Sequence, residues 1–383
     1  MSDLFGDSAV SWPLVKLGGY IEILSGFAFD SKAFNDIDGL PLIRIRDVVR
    51  GYSNTYFSGT YPDEYIVNNG DLLVGMDGDF NREIWQGGEA LLNQRVCKIT
   101  ADGESLDQRY LYHFLPKQLQ LINAATPAVT VKHLSVKAIK NIEIPLPPLA
   151  EQKRIAAILD KADAIRRKRQ QAIKLADEFL RSVFLDMFGD LSGFEGAKVK
   201  FGDVVSLDAK MVDPTERDYI DLIHIGPDRI EKETGRLLPA LTAREEGLIS
   251  QKFLFDESYV LYSKIRPYLK KCALAKGIGL CSADMYPIRP IEGKVTREFV
   301  WMLLLSNTFS RFTETLPDRA SIPKLNRAEL ASFEFELPHY SMQIKFSNIV
   351  KSVSDFQAKG LHGEESKESL FSVLSQKAFS GQL

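Results

Sequence analysis

Read for the spacing of its apolar positions, the chain alternates between two textures. The first is short runs such as LPLIRIRDVV (40–49) and DLLVGM (71–76), set apart by Gly, Asn and Asp. These runs predict β-strands punctuated by turns. The second is a helical repeat. Positions seven apart hold Ile155, Ala162, Arg169, Ala176 and Val183, and a companion row holds Ile158, Ile165, Ala172 and Phe179. An apolar seam of this period, broken only by Arg169, predicts a coiled-coil helix. At ~1.5 Å per residue, about 33 residues make a rod of roughly 50 Å.

A proline run stands in front of that helix. Pro145, Pro147 and Pro148 each remove a backbone donor and restrict the residue before them. The segment therefore predicts a stiff strap between a sheet-rich domain and the helix. A weaker copy follows near the end of the chain. Phe346, Ile349, Val353 and Phe356 keep an apolar seam, Gly360 and Gly363 interrupt it, and Leu370, Val373 and Leu374 resume it. Two glycines cost about 2 kcal/mol inside a helix, so a bend or break is expected near GLHGEES. The two seams would cover each other most simply as an antiparallel pair.

The second copy belongs to a repeat that runs the length of the chain. Val15-Lys16-Leu17-Gly18 matches Val199-Lys200-Phe201-Gly202 at an offset of 184. GDLLVGMDGDF from Gly70 pairs with DESYVLYSKIRPYL from Asp256. LSVKAIKNIEIPLPPLAEQ from Leu134 pairs with LNRAELASFEFELPHYSMQ from Leu325 at an offset of 191, laying Pro147 on Pro338 and Gln152 on Gln343. EFLRSVFLDMFGDL from Glu178 is echoed by SLFSVLSQKAFSGQL from Ser369. The expected fold class is α+β: two similar mixed α/β domains, at 1–150 and 192–338, with long helices at 151–191 and 339–383 forming an antiparallel coiled-coil spacer.

Composition changes this picture little. The chain has 383 residues, 45% hydrophobic and 26% charged, which suits a globular protein with more than one core. No apolar run reaches the ~18 residues of a membrane span, and MSDLFGDSAVSW has no secretory pattern. A cytoplasmic protein without membrane partners is expected. Cys97, Cys272 and Cys281 form no CxxC pair, so structural thiols are expected. The net charge of −3 argues against a free-standing nonspecific DNA binder. Signatures of nucleotide binding, amino-methyl transfer and zinc hydrolysis are missing from the sequence. The acidic string MDGDFNRE (76–83) lacks the ligand order of a calcium loop.

IPLPPLAEQKRIAAILDKAD (144–163), DLLVGMDGDF (71–80), YSKIRPYLKK (262–271) and the terminal QKAFSGQL (376–383) carry a resemblance over essentially the whole chain. It resembles the specificity subunit of type I restriction–modification systems. The resemblance implies two target recognition domains, each reading one half of a bipartite site in double-stranded DNA. It implies helices that dock methyltransferase subunits, two of them, with restriction/translocase subunits joining the assembly. No cofactor is expected on this chain; S-adenosylmethionine, ATP and Mg would belong to the partners. ELPHYSMQ, at 336–343, departs from the family pattern by lacking the paired prolines.

A reader of DNA needs donors and acceptors for base edges, flanked by cations for phosphates. The first domain offers Arg44 and Arg46, expected on one strand face, then Asn81 and Arg82 after GMDGDF, and Lys132 and His133 in TVKHLS. The second offers Lys264, Arg266, Lys270 and Lys271 in SKIRPYLKK, with Arg319 and Lys324 in DRASIPKLN. Asn81 and Arg82 fall in the counterpart of SKIRPYLKK, and Lys132 near that of Pro323. Arg166 to Arg169 circle the helix, so no single face holds them all. Two rival readings stay open: a two-headed protein-binding scaffold without DNA recognition, and a nuclease built on Asp71, Asp77 or Asp79.

Overall fold

A computed structural model describes residues 12–126, 132–191, 197–316, 323–361 and 364–383; for 358–361 and 364–370 it describes the backbone alone. The elements that matter here are, in the first half, β1 (Leu14–Lys16), β2 (Ile21–Ser25), β3 (Leu40–Ile43), α1 (Ile45–Arg50), β4 (Leu72–Gly75), β5 (Arg82–Ile84), β6 (Ala90–Leu92), β7 (Val96–Ala101), α2 (Gln108–Ala125), α3 (Val136–Lys140), β8 (Glu143–Pro145) and α4 (Leu149–Phe188). In the second half they are β9 (Lys198–Lys200), β10 (Val205–Ser206), β11 (His224–Ile225), β12 (Val260–Ser263), β13 (Cys272–Leu274), β14 (Gly279–Cys281), β15 (Met285–Pro290), α5 (Arg297–Leu305), α6 (Asn307–Glu314), α7 (Arg327–Ser332), β16 (Glu334–Glu336), α8 (Tyr340–Leu361) and α9 (Glu364–Phe379). The chain forms two compact units, residues 1–168 with 363–383, and residues 169–362.

The units repeat one plan. Unit 1 has an antiparallel sheet in the order β2-β7-β4-β5, and unit 2 has β10-β15-β12-β13. Each adds one parallel pair, β3 with β6 and β11 with β14. Each also closes its ends with a two-stranded ribbon. Val15 faces Ile144 in unit 1, and Val199 faces Phe335 in unit 2. Leu17 N donates to Ile142 O at 2.9 Å, and its counterpart Phe201 N donates to Phe333 O at 2.7 Å.

A buried glutamine fixes the start of each long helix. Gln152 Nε2 donates to Pro147 O and Ser105 O, both at 2.8 Å, while its Oε1 accepts Asp107 N at 2.8 Å. Asp107 is the N-cap of α2, accepting from Arg109 N and Tyr110 N. Gln343 repeats the device, donating to Pro338 O at 2.8 Å and Lys294 O at 3.3 Å and accepting from Thr296 N, the N-cap of α5, at 3.0 Å. One amide thus ties strap, helix start and neighbouring helix together in each unit.

α4 is 40 residues long, but its buried face is not the predicted heptad seam. In unit 1 Ile155, Ala156, Leu159 and Asp163 are buried; in unit 2 Ile173, Leu180, Phe184 and Phe188 are. Of the expected seam Ile155 is buried, Ile158, Ala162, Ala176 and Val183 are half-buried, and Ala172 is exposed. Ile165 and Phe179 are 55% and 51% exposed. A straight helix drifts about 20° per heptad against a 3.5-residue repeat. Here the helix packs on a domain rather than along one uniform partner, so the buried face follows steps of four. Within unit 1, Leu383 O accepts from Arg154 while Arg166 lies over the Phe371 ring at 5.5 Å, so α9 runs antiparallel to α4.

The distal helix differs likewise. Phe346 is buried, Ile349 and Val353 pack against the unit 2 core, and Leu374 against that of unit 1. Phe356 is 72% exposed, and Leu370 has no described side chain. α8 is described to Leu361 with Gly360 inside it, and α9 from Glu364; the interruption expected at Gly363 lies outside the described residues.

The strand predicted over LPLIRIRDVV stops at Ile43, and α1 replaces its second half. Asp47 Oδ2 accepts Arg44 N at 3.0 Å, which starts the helix, and Gly51 at φ +77° ends it. Arg44 and Arg46 therefore share no strand face; both are exposed, and Arg46 lies 3.6 Å from Asp47.

Candidate nucleic-acid interface

Three segments meet at the end of β4, and three equivalent ones at the end of β12. Gly75 N donates to Asn81 O at 2.7 Å, and Ser263 N to Lys271 O at 2.9 Å, closing matching loops. Gly78 N donates to Lys132 O at 3.0 Å, as Arg266 N does to Pro323 O at 2.8 Å. Met76 N donates to Arg95 O at 2.7 Å, as Lys264 N does to Asp284 O at 3.1 Å. Both loops contain two residues of positive φ, Gly78 and Phe80 in one, Arg266 and Lys270 in the other. One backbone scaffold thus carries two different sets of side chains.

In unit 1, Asp77 receives Arg95 Nη1 at 3.0 Å and His133 Nδ1 at 2.7 Å. Lys132 Nζ donates to Asn123 O at 2.6 Å and Asn123 Oδ1 at 3.0 Å, and Asn123 Nδ2 in turn bonds Gly78 O. Asn81 is exposed at the loop's end. Arg82 is not part of this cluster. Its guanidinium stacks 3.6 Å from the Tyr112 ring centroid on α2, and its Nε is buried without a partner among the described residues. Burial lowers its pKa, with Arg167 adding to that and Tyr112, Glu83 and Asp163 opposing it.

In unit 2 all three lysines of SKIRPYLKK are already engaged. Lys264 Nζ donates to Ala283 O at 2.5 Å, Lys270 Nζ to Asn307 Oδ1 at 2.9 Å, and Lys271 Nζ to Pro227 O at 2.6 Å. Arg266, Tyr268 and Lys324 remain exposed. Arg319 lies outside the described residues. Arg95 and Asp284 went unnoticed in the sequence because neither lies in a basic cluster; aligning NQR (93–95) with SAD (282–284) would have paired them.

Residues 9–175 match the family described as "Type I restriction modification DNA specificity domain". A 178-residue stretch is 47% identical to the EcoBI specificity subunit of Escherichia coli, covering 45% of this chain and 38% of that protein. The EcoDI specificity subunit, also from Escherichia coli, is 25% identical over 87% of this chain and 79% of its own length. Residues 9–175 thus carry this specificity domain, and the chain as a whole is similar to type I specificity subunits. The crystal structure of the S subunit from M. genitalium shares its fold, with a TM-score of 0.62 at 12% identity over 98% of both chains.

A charged network joins the sheet of unit 1 to its long helix. Arg167 binds Glu83 at 2.8 Å, Tyr112 Oη at 2.7 Å and Asp163 at 2.7 Å. Asp160 pairs with Arg109 and lies 2.7 Å from Nε2 of the buried His113, whose Nδ1 has no partner among the described residues. Burial lowers the His113 pKa, and Arg109 and Arg82 push the same way against Asp160. Burial raises the Asp160 and Asp163 carboxyls, but hydrogen bonds from Arg109 and His113, and from Arg166 and Arg167, outweigh it and hold both low.

All three shifts mean that unfolding takes up protons in acid. Unit 1 should lose stability as pH falls below about 6.5, the ordinary histidine value, and lose more through the carboxylate range. Urea unfolding followed at Trp12 and Trp85 checks this. His113→Gln should flatten the first part of the profile, and an unchanged profile would remove His113 from the account.

Proposed function

We propose that this chain supplies DNA recognition, and no chemistry of its own, to a type I restriction–modification complex. Unit 1 and unit 2 each read one part of a bipartite site in duplex DNA. The long helices dock methyltransferase subunits, two by the repeat, and restriction/translocase subunits complete a cytoplasmic assembly. S-adenosylmethionine, ATP and Mg are carried by those partners. The observation that carries the reading is the pair of equivalent loop clusters, alike in backbone bonding and unlike in side chains. Domains that share a scaffold but read different half-sites need that combination.

Three further features support it. Ile165, Leu175, Phe179 and Leu185 on α4 and Phe356 on α8 are each at least half exposed, an apolar supply for partner docking. At ~1.5 Å per residue, the 40 residues of α4 make a helix of roughly 60 Å, long enough for more than one partner contact. Two of the three acids of the nuclease alternative are engaged instead by cations, Asp71 by Lys98 at 3.6 Å and Asp77 by Arg95 and His133.

The test is selection from a pool of random duplexes by the full chain, in complex with a methyltransferase subunit of its host. Enrichment of a two-part motif with a fixed gap is expected. A single uninterrupted motif, or none, would reject the reading.

A further inference from the structure

One carboxylate in unit 1 holds two exposed side chains in place. Asp77 is 14% exposed, whereas its partners Arg95 and His133 are 55% and 50% exposed. Arg95 lies at φ +74°, a conformation that residues with side chains rarely adopt. Its carbonyl is tied to Met76 N at 2.7 Å, which brings it beside the Asp77 carboxylate. Asp77 Oδ2 accepts from Arg95 Nη1 at 3.0 Å, while Oδ1 is occupied by His133 at 2.7 Å.

A guanidinium held through Nη1 presents its Nε and Nη2 donors along the opposite edge, in one plane. That is what a two-point contact to O6 and N7 of guanine requires. A mobile lysine at the same place would meet phosphate as a point charge. The equivalent position in unit 2 reverses the charge. Asp284 replaces Arg95, with Oδ1 3.7 Å from Lys264 Nζ, and a carboxylate that only accepts cannot make this contact.

We propose that Arg95, held by Asp77 as a positioning residue, reads a guanine in the half-site of unit 1, and that unit 2 places no such demand at the equivalent base. The proposal deepens the DNA-reading function and rests on it.

The same random-duplex selection, run with wild type, Arg95→Ala, Arg95→Lys and Asp77→Asn in the assembled complex, tests it. Wild type should enrich a motif with a required guanine in one half. Arg95→Ala and Arg95→Lys should lose about 10- to 100-fold discrimination at that guanine alone, with the remaining positions and the second half still selected. Asp77→Asn should weaken preference at the same base. An unchanged motif would reduce the Asp77–Arg95 pair to a surface contact and overturn the proposal. So would a uniform loss of affinity across all sequences with a shallower salt dependence, the mark of a phosphate contact. If wild type enriches no motif, the DNA-reading function itself fails, and the proposal with it.

Discussion

Gln343→Leu is expected to cost unit 2 about 2–4 kcal/mol. Leucine has nearly the volume of glutamine, so packing around the fully buried site changes little. What changes is the fate of three backbone groups. Thr296 N loses its acceptor, and Pro338 O and Lys294 O lose their donor. Each buried group left unpaired costs about 1–3 kcal/mol, and partial hydration keeps the sum below the maximum. Gln152→Leu in unit 1 should cost somewhat less, because two of its three bonds are only partly buried. Urea unfolding followed at Trp301 measures the loss in unit 2. Hydrogen exchange should show faster exchange at Thr296 and the first turn of α5. Retained protection there would mean that the proline strap, and not the amide, holds the helix start.

Phe346→Ala should cost about 3–5 kcal/mol, whereas Phe356→Ala should stay within about 0.5 kcal/mol. The heptad pattern assigns both residues to one seam, so it predicts comparable losses. Phe346 is instead fully buried, with its ring centroid 5.4 Å from that of Phe184 and 5.7 Å from that of Phe188, while Phe356 is 72% exposed. Removing the first leaves a cavity that its two aromatic neighbours cannot close. Removing the second takes surface from water. Thermal or urea midpoints for the two variants separate these accounts directly. Equal losses would restore the continuous seam.

The repeat was legible because duplication preserves positions that backbone geometry constrains. Gln152 and Gln343 align, and each makes the same clamp. Val15 and Val199 align, and each lies in the same ribbon. The phase of the buried helix face was not legible. Residues such as Ile165 and Ile173 are equally apolar, and only the domain packed alongside decides which is buried. Helix α1 was hidden by β-branched residues, which favour a strand until Asp47 is seen to accept from the Arg44 amide. The candidate site was legible as a region and not as residues. Arg82 reads as a surface cation, yet a tyrosine thirty positions on covers it. Arg95 reads as nothing in particular, because its significance rests on a turn and on an aspartate that approaches across the loop.

The central claim is that two domains on one chain read the two parts of a single DNA target for a methylating partner. Mapping methylated adenines across the host genome, with and without this gene, tests it most directly. The account predicts that one two-part motif with a fixed gap loses its methylation when the gene is removed and regains it when the gene is restored. An unchanged map, with the methyltransferase partner shown to be expressed, would contradict it and leave the two units as a protein-binding scaffold.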